Sequence, residues 1–118
     1  MKELIIVRHG IAENRDDFAK TGQPDSKRPL TADGKIKIKK ISNWLKTQIK
    51  GELDLIVDSP LLRSKQTLDL LKLDLKFNMS LNMAELNPDV SSYVLLDKIL
   101  SLKKIEFLLL VTSHSCPL

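Results

Sequence analysis

The chain has 118 residues, of which 42% are hydrophobic and 29% charged, with a formal net charge of +4. That size and balance describe one soluble globular domain and exclude a disordered or fibrous chain. The single cysteine, Cys116, excludes an intrachain disulfide framework; a net +4 with only 4% aromatic residues gives no footprint of a nucleic-acid binder.

Leu4-Ile5-Ile6-Val7 is a continuous apolar run rich in β-branched residues. It predicts a strand buried on both faces, as in a parallel sheet. The run is too short for a signal-peptide core, and no segment approaches the roughly 18 apolar residues of a membrane span. No membrane partner is expected, and the expected location is the cytoplasm. Residues 11–28 show little periodicity and much polarity, and read as a long loop over the active face. Thr31 is a good helix N-cap with Asp33 in the first turn. Ile38, Ile41, Leu45 and Ile49 follow at helical spacing with Trp44 beside them, and Gly51 is a stop.

Asp54-Leu55-Ile56-Val57 predicts a second strand. Ser59-Pro60 predicts the start of a helix that buries Leu61, Leu68 and Leu71. Lys76-Phe77-Asn78-Met79 predicts a shorter strand. Residues 91–102 predict a further helix, with Leu95, Leu96, Ile99 and Leu100 inward. Phe107-Leu108-Leu109-Leu110-Val111 is the strongest strand signal. Alternating strands and helices predict an α/β layered fold with no internal repeat or linker.

In open parallel sheets, ligands bind beyond the carboxyl ends of the strands. Arg8-His9-Gly10 follows the first strand, and Asp58-Ser59-Pro60 follows the second, with Arg63 close behind. Thr112-Ser113-His114 follows the last. Both histidines of the chain therefore sit just past apolar strands, at one edge of the predicted sheet. This set suits phosphoryl transfer. Neutral imidazole is a competent nucleophile near pH 7. Arginine offers planar, two-pronged hydrogen bonding to phosphate oxygens. Gly10 lets the backbone approach a ligand closely.

Five segments occur in one order along nearly the whole chain: LIIVRHG (4–10), RPLTADG (28–34), DSPLLRSKQT (58–67), ELNP (85–88) and VTSH (111–114). With them the chain resembles the histidine phosphatase superfamily, of phosphoglycerate-mutase-like fold. More narrowly, it resembles the small SixA-type branch, the protein-phosphohistidine phosphatases. The resemblance implies one domain over residues 1–118 and a mainly parallel sheet flanked by helices. It makes His9 the phosphorylated nucleophile, with Arg8 and Arg63 on the phosphoryl oxygens. His114 completes the pocket and donates to the transferring group, and Arg28 matches an additional phosphate-pocket arginine of the branch. The proton donor to the leaving group is either Glu85 or Asp25. The implied substrate is phosphohistidine on a signalling or phosphotransfer protein. A small phosphate ester is the alternative.

Relatives continue for several dozen residues beyond the second histidine, adding a helix and further sheet, whereas four residues follow His114 in this chain. The expected fold is therefore short of that C-terminal helix and strand. An uncovered last strand is a route to association, so the expectation is a monomer or association through that region. A non-catalytic phosphate- or partner-binding remnant is the rival reading. No cofactor is expected. Two histidines and one cysteine fall short of a zinc site, so no metal is expected either. Lys35, Lys37, Lys39 and Lys40 read as a solvated helix face, and Cys116 as an incidental thiol.

Overall fold

The computed structural model describes residues 3–83 and 107–112. In chain order its elements are β1 (Glu3–Arg8), α1 (Arg15–Ala19), α2 (Ala32–Gln48), β2 (Leu53–Asp58), α3 (Leu62–Lys72), β3 (Phe77–Asn82) and β4 (Phe107–Thr112). The four strands form one sheet in the order β1-β4-β2-β3. Every described pairing between them is parallel. The α/β class and the parallel sheet predicted from the apolar runs are therefore present. The expected helix over residues 91–102 lies outside the described residues, as do Glu85, His114 and Cys116.

Strand alternation divides the core into two faces. Ile56 of β2, with Leu109 and Val111 of β4, packs with Ile38 and Leu45 of α2 and Leu68 and Leu71 of α3. Leu55, Val57, Leu108 and Leu110 point the other way and form a second cluster. Leu108 and Leu109 both have zero exposure, which makes β4 a strand buried on both faces. Each such leucine contributes roughly 1.5–3 kcal/mol of hydrophobic stabilisation.

β1 departs from expectation. Its burial is one-sided and incomplete: Val7 is buried, while Ile6 is 40% exposed. The cause is position, because β1 pairs only with β4 among the described residues and sits at the sheet edge. A continuous apolar run does not distinguish a central strand from an edge strand. β3 extends further than its predicted segment, to Asn82, and is largely exposed.

α2 begins as predicted. The Thr31 hydroxyl accepts from the Gly34 N–H at 2.9 Å, and Asp33 lies in the first turn. Its inward face is Gly34, Ile38, Ser42 and Leu45, while Ile41 and Trp44 are 41% and 60% exposed. The helix ends at Gln48, and the chain then turns through Gly51 at φ 97°, a region that favours glycine. Gly34 permits a close approach: a Cβ there would lie 2.2 Å from the Ile11 carbonyl oxygen.

α3 starts later than Ser59-Pro60 predicts. Leu61 holds the N-cap position without a side-chain hydrogen bond, and Leu62 is the first helical residue. Ser59 is buried, and its hydroxyl accepts from the Leu61 N–H at 3.4 Å, so it shapes the turn before the helix.

The predicted loop over residues 11–28 contains structure. Asn14 caps α1 through its side-chain oxygen, which accepts from the Asp16 and Asp17 N–H groups. A single 3-10 turn covers Asp25–Lys27. The loop's two ends are clamped together. Ala12 and Leu30 form an antiparallel bridge, the Glu13 N–H donates to the Pro29 carbonyl, and the Thr31 N–H donates to the Ile11 carbonyl.

Candidate active site

His9 follows the end of β1, where Arg8 pairs with Thr112 of β4. The ends of the two strands that precede the histidine-bearing segments are therefore neighbours in the sheet. The His9 ring is half-buried, and its Nδ1 lies 2.7 Å from the Gly10 carbonyl oxygen. A carbonyl only accepts, so Nδ1 carries the proton and donates. The neutral ring then holds its lone pair on Nε2. Burial depresses the His9 pKa below 6.5; the bond to Gly10 acts against that, and the charges of Arg63, Arg8 and Arg28 add to it. His9 is thus neutral and nucleophilic at physiological pH. The three guanidinium charges thus disfavour the protonated ring.

Arg63, the second residue of α3, is almost completely covered, with a side chain 3% exposed. Its Nη2 donates to the Asp25 carboxylate at 3.1 Å and its Nη1 to the Asp25 backbone carbonyl at 3.0 Å. Its Nε is buried and has no hydrogen-bond partner among the described residues. Burial lowers the Arg63 pKa, and the Asp25 charge opposes that shift. Arg28 donates from Nε to the other Asp25 oxygen at 2.8 Å and from Nη1 to the Glu13 carbonyl at 2.8 Å. One carboxylate therefore bridges two arginines from different segments. The hydrogen bond from Arg28 is the largest influence holding the Asp25 carboxyl below its usual range, so it is ionised at neutral pH.

Two neighbouring residues of α3, quoted in the DSPLLRSKQT segment but given no role from sequence, tie these pieces together. The Gln66 side-chain oxygen accepts from the Leu30 N–H at 2.8 Å, fixing the segment that follows Arg28. The Thr67 hydroxyl accepts from the Gly10 N–H at 3.0 Å and donates to the Arg63 carbonyl at 2.8 Å. Their spacing from Arg63, three and four residues on, was the available signal, since such positions share one helix face. Gly10 itself is tightly enclosed: a Cβ there would meet Ile38 at 2.8 Å and the Gly34 carbonyl at 3.2 Å.

Of the residues singled out from sequence, hydrogen bonds link His9 to Gly10, Gly10 through Thr67 to Arg63, and Arg63 through Asp25 to Arg28, while Arg8 ends β1 beside His9. Glu85 and His114 lie outside the described residues. Beside His9, a groove of about 470 Å³ runs between β1 and α2, lined by apolar residues that include Ile41 and Trp44. Asp58, the last residue of β2, is occupied otherwise: it accepts from the Asn82 side chain at 3.2 Å, and burial raises its pKa.

Residues 4–88 match the family described as histidine phosphatase superfamily (branch 1). The chain is 41% identical over 69 residues to an uncharacterised protein of Picosynechococcus, a stretch that is 58% of this chain and 39% of that protein. It is 40% identical over 67 residues to the phosphohistidine phosphatase SixA of Escherichia coli, covering 57% of this chain and 37% of SixA. The matched stretches thus span less than half the length of these relatives. The fold is similar to the solved structure of a protein histidine phosphatase SixA complexed with tungstate. The TM-score is 0.79 at 30% identity, covering 95% of this chain and 69% of the other.

Proposed function

The chain belongs to the histidine phosphatase superfamily (branch 1), and from that premise we propose that it is a cytoplasmic phosphatase that removes phosphoryl groups from phosphohistidine on a protein. The observation that carries the reading is the half-buried His9 ring, its Nδ1 held by the Gly10 carbonyl, within reach of three arginine charges. The likeness to a tungstate-binding SixA supports it, because tungstate is a tetrahedral oxyanion of phosphate's shape.

In the first step, Nε2 of His9 attacks phosphorus, the substrate's P–N bond breaks, and the departing imidazole takes a proton. Arg8, Arg28 and Arg63 hold the oxygens as charge redistributes. In the second step, water attacks phosphorus, the Nε2–P bond breaks, and inorganic phosphate leaves. The strands that precede the two histidines in sequence, β1 and β4, are adjacent and parallel, which supports the reading of His114 as a further donor. Asp25 is assigned to holding Arg28 and Arg63, because an ionised carboxylate between two guanidiniums is poorly suited to give up a proton. That leaves Glu85 as the proton donor.

A substrate panel tests the proposal. Phosphohistidine on a phosphotransfer protein should be hydrolysed faster than sugar phosphates or other small phosphomonoesters. Faster turnover of the esters would move the assignment to small substrates. No phosphate release from any of them by folded protein would remove the enzymatic reading and leave a binding remnant.

A further inference from the structure

We propose that Thr67 is a positioning residue for the nucleophile, and that its hydroxyl sets the orientation of the His9 ring through the backbone of Gly10. The inference rests on the reading of His9 given above and extends it to a residue that touches neither the ring nor a phosphoryl group.

Three contacts carry it. The Thr67 hydroxyl is fully buried and uses both of its capacities: it accepts from the Gly10 N–H at 3.0 Å and donates to the Arg63 carbonyl at 2.8 Å. The Gly10 carbonyl in turn accepts from His9 Nδ1 at 2.7 Å. Gly10 is therefore held at both of its polar atoms, by Thr67 on one side and by the ring on the other. Glycine has the widest backbone freedom of any residue, so a glycine beside a nucleophile needs external restraint if the nucleophile is to keep one orientation. Steric enclosure by Ile38 and the Gly34 carbonyl limits where Gly10 can move but supplies no polar partner for its N–H. The same hydroxyl joins the Gly10 segment to the backbone of Arg63. The nucleophile's loop is thereby tied to the backbone of α3, while the Arg63 guanidinium is held separately by Asp25.

The geometry predicts a specific consequence. With the hydroxyl present, the Gly10 carbonyl stays aimed at Nδ1, the ring is kept as the Nδ1–H tautomer, and Nε2 presents its lone pair. With the hydroxyl removed, the Gly10 N–H loses a buried partner, and the peptide is free to rotate toward another acceptor. The ring then samples both tautomers and several orientations. The arginines keep their own hydrogen bonds to Asp25 and are little affected.

The test compares wild type, Thr67→Val and Thr67→Ser in the full chain. Valine matches threonine in shape but has no hydroxyl, whereas serine restores it. Phosphorylation of His9 is followed with phosphoramidate: its P–N bond breaks as the Nε2–P bond forms, and ammonia leaves with a proton. Binding of tungstate reports the arginines separately. Thr67→Val should slow His9 phosphorylation by about ten- to a hundredfold, the range expected for a misplaced reacting group, while tungstate affinity is unchanged. Thr67→Ser should restore the rate. Nitrogen NMR of the His9 ring should show one tautomer in wild type and Thr67→Ser, and a mixture in Thr67→Val.

A folded Thr67→Val that phosphorylates at the wild-type rate and keeps a single tautomer overturns the inference. So does an equal loss of tungstate binding and rate, which would mark a general collapse of the pocket. Should Thr67→Val not fold, Thr67→Ala, which only opens space, is measured in its place. A wild type that never forms phosphohistidine refutes the phosphatase reading, and the tautomer comparison still decides the role of Thr67.

Discussion

Replacing Asp25 with asparagine is the substitution whose effect the structure specifies most fully. One carboxylate oxygen faces Arg28 Nε at 2.8 Å and the other faces Arg63 Nη2 at 3.1 Å. In asparagine one of these becomes an NH₂, which places a donor against a donor on one arginine. The Arg63 side chain is 3% exposed, so it loses charge compensation where water does not replace it. Breaking a buried ion pair by removing one partner costs about 3–5 kcal/mol. Here Asp25 is 47% exposed, which lets water soften the loss, and its backbone carbonyl still accepts from Arg63 Nη1. The discounted expectation is about 1–2 kcal/mol, equivalent to a fall in Tm of about 3–10 °C in a chain of this size.

Urea unfolding of wild type and Asp25→Asn across pH tests both magnitude and origin. The Asp25 pKa is depressed in the folded state, so its contribution is fully present above the unfolded carboxyl value of 3.8. It is lost only as pH falls through the lower folded value. The stability gap should therefore be constant from pH 7 down to about 5 and close only below 3.8. No gap at pH 7, or a gap that vanishes already between pH 7 and 5, would refute the bridging carboxylate.

Three further outcomes follow from the same geometry. Gly34→Ala puts a Cβ 2.2 Å from the Ile11 carbonyl oxygen, so α2 must shift from the loop that follows His9. Overpacking against backbone should cost about 3 kcal/mol in denaturant unfolding, and a neutral result would contradict the close approach. Arg63→Lys loses the paired guanidinium contacts; calorimetry should show tungstate binding weakened by about tenfold or more, and unchanged binding would remove Arg63 from the oxyanion site. Finally, the depressed His9 pKa predicts that the acid limb of the His9 phosphorylation rate lies below pH 6.5, because only the neutral ring attacks; a limb at or above 6.5 would contradict the burial and arginine effects.

How much of this was legible in the sequence depends on what kind of physics each feature rests on. The apolar runs located three of the four described strands, and Thr31 located the start of α2, because burial patterning and N-capping are local signals. The same runs did not reveal that β1 lies at the edge of the sheet formed by the described residues, since strand order is decided by pairing across distant segments. Ser59-Pro60 has the composition of a helix start, yet the chain uses it as a buried turn before Leu62. The candidate site residues were readable as types: Arg8, His9 and Gly10 at the end of a strand, and Arg63 in the first turn of the helix that follows another. Asp25 was legible as an acid near Arg28, but its bridge to Arg63 is a contact across 38 residues and has no local signature. Gln66 and Thr67 hold segments 36 and 57 residues away, which only the packing of α3 against the β1 end discloses.

Catalysis through His9 requires covalent phosphate at one ring nitrogen. Incubating the chain with a phosphohistidine protein, quenching in base and mapping the modified peptide measures that directly. Acid-labile phosphate on His9, absent in His9→Ala, is the expected result. Phosphate found on another residue, or turnover that survives in His9→Ala, would contradict it.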